Sequence, residues 1–139
     1  MDTLINTAEK SLRFILAGNA RITFRSARSG TRFSYRVKAS DDGKVHFVAV
    51  LAGYDNDSDY RYIGIIKNGR FIHGRDKAFA NANAPSVLAF GWAFKNLSHE
   101  KLPETLEVFH QGRCGRCGRT LTVPESIESG LGPVCAEAA

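Results

Sequence analysis

The chain has no apolar run approaching the length of a bilayer span, no low-complexity tract and no internal repeat. Those absences argue against a membrane helix, a disordered linker and a solenoid. Cysteine is scarce. There are three in all, an odd number that cannot pair off completely into disulfides. Met1-Asp2-Thr3 leads straight into an amphipathic segment with no signal-peptide pattern, so a cytoplasmic chain with reduced thiols is expected. Also missing are a phosphate-cradling glycine loop, a serine elbow and a pair of acids with an obvious reason for shifted pKa values. The sequence is therefore expected not to be an enzyme, and no small-molecule substrate is evident. Asp55-Asn56-Asp57-Ser58-Asp59 invites a calcium reading but fails the EF-hand template, which needs Gly where Tyr60 stands and Glu where Ile66 stands.

One further absence is local. From Lys10 to Lys38 the chain carries Lys10, Arg13, Arg21, Arg25, Arg28, Arg32, Arg36 and Lys38, and no acidic residue. The acids collect at Asp41 and Asp42, at Asp55, Asp57 and Asp59, and at Glu100, Glu104 and Glu107. With a net charge of +5, this asymmetry points to a positive face rather than a uniformly basic surface.

What is present fits one compact core with a small appendage: 139 residues, 43% of them hydrophobic. Leu4, Ile5, Ala8, Leu12, Ile15 and Leu16 recur at helical spacing, and Gly18 ends that run, so an amphipathic helix is predicted over residues 3–17. The period then switches to two. Ile22 and Phe24 alternate with Arg21 and Arg25; Phe33, Tyr35 and Val37 alternate with Arg32, Arg36 and Lys38, giving a hairpin with one apolar and one cationic side. Val45–Leu51 reads as a buried strand, and Tyr60–Ile66 with Arg70–His73 as a second hairpin around Asn68-Gly69. Pro85 opens a second helix, in which Phe90, Trp92 and Phe94 are expected in the core. The fold class is α+β: an N-terminal helix, about five antiparallel strands, a second helix and a C-terminal zinc ribbon, divided into an α+β domain at 1–105 and a zinc-binding module at 106–139.

That module rests on Cys114, Cys117 and Cys135, with His110 upstream at the end of a predicted strand, Leu106–Phe109. Cys-Gly-Arg-Cys-Gly-Arg presents two sulfurs to one cation from a single tight turn, and a second segment must close the tetrahedron. Gly115 and Gly118 suit the turn because they tolerate positive φ. A thioredoxin-like redox pair fits less well, since that motif normally opens a helix after a strand. One structural Zn²⁺ is expected, with His110 the best fourth ligand, His99 the alternative, and a carboxylate or water conceivable; His46 and His73 read as ordinary strand residues. Glu125 and Glu128 look architectural. Thr122, Pro124 and Glu125 form a capping-box pattern, and Gly130, Gly132 and Pro133 end the short helix.

The run Gly112-Arg113-Cys114-Gly115-Arg116-Cys117-Gly118-Arg119-Thr120-Leu121-Thr122, followed by Pro124-Glu125-Ser126-Ile127 and Gly130-Leu131-Gly132-Pro133-Val134-Cys135, resembles a zinc-ribbon family of unknown function common in bacteriophage and actinobacterial genomes. Its members occur alone in small phage proteins and appended to larger ones. The resemblance covers residues 106–136 and implies His110, Cys114, Cys117 and Cys135 as metal ligands, a phage origin, and the host cytoplasm as compartment. It implies no activity.

Two functions follow from the charge pattern. Like charges facing each other across strands cost roughly 0.2–1 kcal/mol per pair, so Arg21, Arg25, Arg32, Arg36 and Lys38 call for compensation. Nucleic acid, DNA or RNA, is the first candidate partner, with Arg113, Arg116 and Arg119 extending the track. A solvated face whose arginines pair with the Asp55–Asp59 loop is the plainer alternative. The second function is a protein-interaction module that blocks a host defence complex such as a CRISPR effector.

Overall fold

The protein, described here from a computed structural model covering residues 2–122, 124–132 and 135–136, is built on one seven-stranded antiparallel sheet. In chain order the strands are β1 (Thr3–Ile5), β2 (Asn19–Ser26), β3 (Arg32–Ala39), β4 (Val45–Leu51), β5 (Tyr60–Lys67), β6 (Arg70–His73) and β7 (Leu106–His110). The helices are α1 (Ala8–Ile15), α2 (Pro85–Ser98) and α3 (Pro124–Ser129). Across the sheet the order is β1-β7-β2-β3-β4-β5-β6.

The five predicted strands are present as the meander β2–β6. Two more join it, the unexpected β1 and the strand expected at Leu106–Phe109, so the sheet has seven strands where about five were expected. Residues 3–17 are not one helix: Thr3–Ile5 pairs with β7, and Thr7 caps α1 by accepting from the Lys10 N–H at 3.1 Å. Helical spacing at Leu4 and Ile5 misleads, because over three residues an apolar pair fits a strand equally well. The pairing of Ile5 with Val108 settles it, since both then point into the core. Strand β7 enters between β1 and β2, so the approach to the cysteines starts inside the sheet.

One face of the sheet carries the core. Ile22, Phe24, Tyr35, Val37, Val48 and Val50 face α2, which buries Val87, Phe90, Ala93, Phe94 and Leu97. Phe90 is central: its ring meets Tyr35 and Phe71 edge-on at 4.9 Å and lies parallel to Phe94 at 5.9 Å. Aromatic pairs at these separations add to plain area burial. The Tyr35 hydroxyl donates to the Ser86 carbonyl at 2.6 Å, so its polar end is satisfied inside the core. Trp92 was expected there as well and is instead 48% exposed, because two residues along a helix from Phe90 lies well round from the buried face.

Candidate metal centre and cationic face

Strand β7 delivers the chain to a tight turn. Arg113 bridges to Thr120, the Cys114 N–H donates to Arg119 O at 2.8 Å, and the Gly118 N–H donates to Cys114 O at 2.9 Å. Gly118 has φ +77°, as the turn requires. Gly115 is needed for a different reason. Its φ is not positive, but a Cβ there would lie 2.7 Å from Cδ1 of Phe14 on α1. The second segment, α3 and the residues after it, returns to the same place: the Gly115 N–H donates to Gly130 O, and a Cβ on Gly130 would lie 2.4 Å from the same Phe14 atom. Both halves of the module therefore close on one aromatic ring.

Closure brings the sulfurs of Cys114, Cys117 and Cys135 within 4.8 Å of one another, a group that can hold a metal ion. A tetrahedral cation with metal–sulfur bonds of about 2.3 Å spaces its sulfurs by roughly 3.8 Å, so little movement separates this arrangement from a bound one. Cys114 is buried, Cys135 half-buried and Cys117 exposed. Burial pushes the Cys114 thiol up, but N–H groups of Gly132, Cys117 and Arg116 together pull it lower, to about 7. Two of these donors stand 3.3 Å (Gly132) and 3.5 Å (Arg116) from its sulfur. Cys135 is pushed up to about 11, by burial and then by its two cysteine neighbours. Negative charge thus gathers on Cys114, and a cation at the centre is what lets the other sulfurs ionise beside it.

His110 is not brought into this group. The ring is fully buried on the inward face of β7; Nε2 donates to Ile127 O, and Nδ1 accepts from the Gly112 N–H at 2.9 Å. Both nitrogens are committed to backbone, so the side chain ties α3 to β7 instead of reaching the sulfurs. His99 lies exposed at the end of α2, bonded to Lys95 O. His46 and His73 bond to Leu16 O and Ala80 O, the structural roles expected of them. Glu128 pairs with Lys10, which fastens α3 to α1. The capping-box pattern spans Val123, and Pro133 follows it; both lie outside the described residues.

Burial holds the His110 imidazole below its ordinary value of 6.5, the contact with Ile127 O opposing only in part. The folded state therefore binds fewer protons at this ring than the unfolded chain does. Its contribution to stability is complete above pH 6.5 and is lost as pH falls through the depressed folded value. Urea midpoints should decline below about pH 6.5 in the wild type and decline less steeply in His110→Gln.

The arginines of β2 and β3 share the outward side of the sheet, where the register sets Arg21 opposite Arg36, Arg25 opposite Arg32, and Lys38 opposite Asn19. Acids from distant segments meet three of them. Arg21 pairs with Asp57 at 2.8 Å, Arg25 with Glu107, and Arg32 with Asp2 at 2.6 Å. The Asp55–Asp59 loop folds onto this end of the face, with Asn56 bonded to Gln111 and to the Tyr60 hydroxyl. Its carboxylates cap their own turn, Asp55 accepting from the Asp57 and Ser58 N–H groups and Asp59 from the Asp55 N–H. Tyr60 is buried beneath the Arg36 and Arg21 guanidiniums, at 5.5 and 6.0 Å from its ring centre. Among the described residues Arg36, Lys38, Arg113, Arg116 and Arg119 have no acidic partner within 4 Å. Arg113 and Arg21 line one cavity of about 100 Å³ with Asn19, Cys114 and Gly118, so the knuckle adjoins the cationic face.

A model described as a family of unknown function (DUF6011) matches residues 104–139. No curated protein and no solved structure matches the chain. The match and the cysteine group together fit a small metal-binding family of unknown function for the C-terminal segment. Among the described residues no helix is long and apolar enough to cross a membrane.

Proposed function

We propose that the protein is a non-enzymatic accessory protein of phage type, acting in the host cytoplasm, that uses one structural Zn²⁺ to hold a nucleic-acid-binding surface together. Soft thiolates gathered within 4.8 Å favour zinc among the common cations. Three thiolate donors also leave a metal poorly electrophilic, and Glu128 is occupied by Lys10, which favours a scaffold over a hydrolase. The observation that carries the reading is the shared cavity of Arg21 and Arg113 beside Arg36 and Lys38. Sheet and knuckle meet at that cavity, and phosphate oxygens are ligands that accept the fork of a guanidinium such as Arg36 or Arg113 bidentately.

The charge pairs shift the expected contact surface. Arg21, Arg25 and Arg32 already have carboxylate partners, so the polyanion surface centres on Arg36, Lys38 and the knuckle arginines. Fluorescence anisotropy with DNA and RNA at about 50 mM salt should show binding that weakens steeply as salt is raised. Arg36→Glu with Arg113→Glu should weaken it by at least about tenfold, since reversal removes two phosphate contacts and adds repulsion. Absence of binding to any nucleic acid at low salt would refute the reading. A protein partner, such as a host defence complex, is the second reading. It is favoured by Leu88 and Trp92, which stand exposed on α2 beside a cleft of about 200 Å³ lined by Phe33, Trp92 and Leu106. A stoichiometric protein complex that survives nuclease and high salt would support it.

A further inference from the structure

The outward sheet face changes character from one side to the other. On β2 and β3 it is cationic; across β4, β5 and β6 it carries an apolar row set by the register, with Lys38 opposite Phe47, Phe47 opposite Ile65, and Ile65 opposite Ile72. Phe47 and Ile72 are each 47% exposed. Apolar surface of this kind, running from β4 to the edge strand β6, is a standing cost unless something docks there. Cations ring the row: Arg36 and Lys38 on β3, Lys67 on β5 and Arg70 on β6 all point to the same side. None of the outward positions on these four strands is acidic.

We infer that this face binds single-stranded nucleic acid, with an unpaired base stacked on Phe47 and the backbone phosphates on Arg36, Lys38 and Lys67. The inference rests on the nucleic-acid reading above and names the form of polymer. An aromatic ring lying among the cations of four strands that carry no acid suits a ligand that alternates flat apolar faces with negative charge, which an unpaired strand does. A duplex keeps its base faces inside the stack. Nor can this sheet enter a groove: seven strands about 4.8 Å apart span roughly 29 Å, against a major groove of about 12 Å. Tyr60, the aromatic nearest the arginines, cannot serve because it is only 7% exposed. The stacking position is therefore Phe47, two strands from the acidic loop's anchor on Arg21.

Anisotropy with a labelled oligothymidine of about twelve residues, within the ~4–16 nucleotides that such platforms cover, and with the same strand paired to oligoadenosine, tests this directly. The single strand should bind at least about tenfold tighter than the duplex, and Phe47→Ala should weaken single-strand binding by about tenfold while leaving its salt slope unchanged. Phe47→Trp should retain affinity, and its fluorescence should be quenched on binding. Phe47 is exposed, so these variants should fold, which a thermal melt checks. Equal binding of both forms with Phe47→Ala neutral overturns the inference while the nucleic-acid reading stands; no binding of either form overturns both. A dimer in sedimentation without nucleic acid, dissolved by Phe47→Ala, assigns the face to a second copy of the chain and overturns the inference too.

Discussion

Stripping the metal, or replacing Cys114 with Ser, is expected to unfold the segment that follows His110 while the sheet stays folded. The segment has little to hold it otherwise. Its own core is Cys114, Leu121 and Leu131, with Ala17, Ile127, Cys135 and Ala136 packed partly buried around them. Three buried side chains cannot offset the conformational entropy of the residues they would have to order. Coordination by thiolates adds stabilisation on the order of 10 kcal/mol, and adds it only to the closed form. In its absence only hydrogen bonds among the thiols draw the three together. Trypsin reads the outcome, because Arg113, Arg116 and Arg119 are exposed in the knuckle while Arg21 and Arg36 sit in strands. After chelation, cleavage at the knuckle arginines should accelerate at least about a hundredfold, equivalent to roughly 3 kcal/mol of lost local stability. Mass spectrometry of the intact protein should find about one zinc per chain before treatment. An unchanged digest after the metal has demonstrably left would mean that the fold does not need it.

Why the sheet conceals its own charge compensation follows from sequence distance. The acid-free stretch was visible by inspection, and alternation placed its arginines on one side, as the register of β2 and β3 has them. Inspection reached one partner, the Asp55–Asp59 loop that Arg21 meets, and missed the other two. Asp57 lies 36 residues from Arg21, Glu107 82 residues from Arg25, and Asp2 30 residues from Arg32. Local pattern does not give those two: Glu107 meets Arg25 because β7 lies beside β2, and Asp2, just before β1, meets Arg32 at the start of β3. The same limit hid β1, a three-residue strand whose partner begins about a hundred residues later.

Turns were legible for the opposite reason, since their chemistry is local. Asn68 and Gly69 take φ of 52° and 74°, the conformation that the Asn-Gly pair announces in a two-residue hairpin turn, and Gly30 and Gly43 are likewise left-handed. The cysteine trio was legible too, because a knuckle with a distant third thiol is a spacing signal. His110 shows where spacing stops. Proximity in sequence made it the leading candidate ligand, but strand period two points it inward beside Ile22, where its ring meets the backbone of α3. The residue that organises the site, Phe14, left no metal-site signal. Only the pairing of one buried ring with Gly115 and Gly130 would have marked it, and that pairing is three-dimensional.

Phe14→Ala should consequently be the most damaging substitution away from the sulfurs. The ring is 1% exposed, lies 5.6 Å from the His110 ring, and fills the space that a Cβ on either glycine would invade. Truncating a buried Phe to Ala typically costs about 3–5 kcal/mol through lost transfer energy and the cavity left behind. For a chain of this size that corresponds to a fall in melting temperature of roughly 10–15 °C. A core role alone predicts no more than that. The clamp predicts a second effect, because without the ring neither the knuckle nor the return segment is held at the spacing the cation needs. Zinc affinity, read by competition with a chromogenic chelator under conditions where the variant is still folded, should then fall by at least about tenfold. Gly130→Ala attacks the same contact from the other side, since its φ of +78° and the 2.4 Å approach both forbid a methyl group. If the ring and the glycine act as one joint, their effects on metal affinity should be less than additive in the double variant. A melting temperature that drops while zinc affinity holds steady would reduce Phe14 to ordinary packing and leave the geometry of the three sulfurs to the coordination bonds alone.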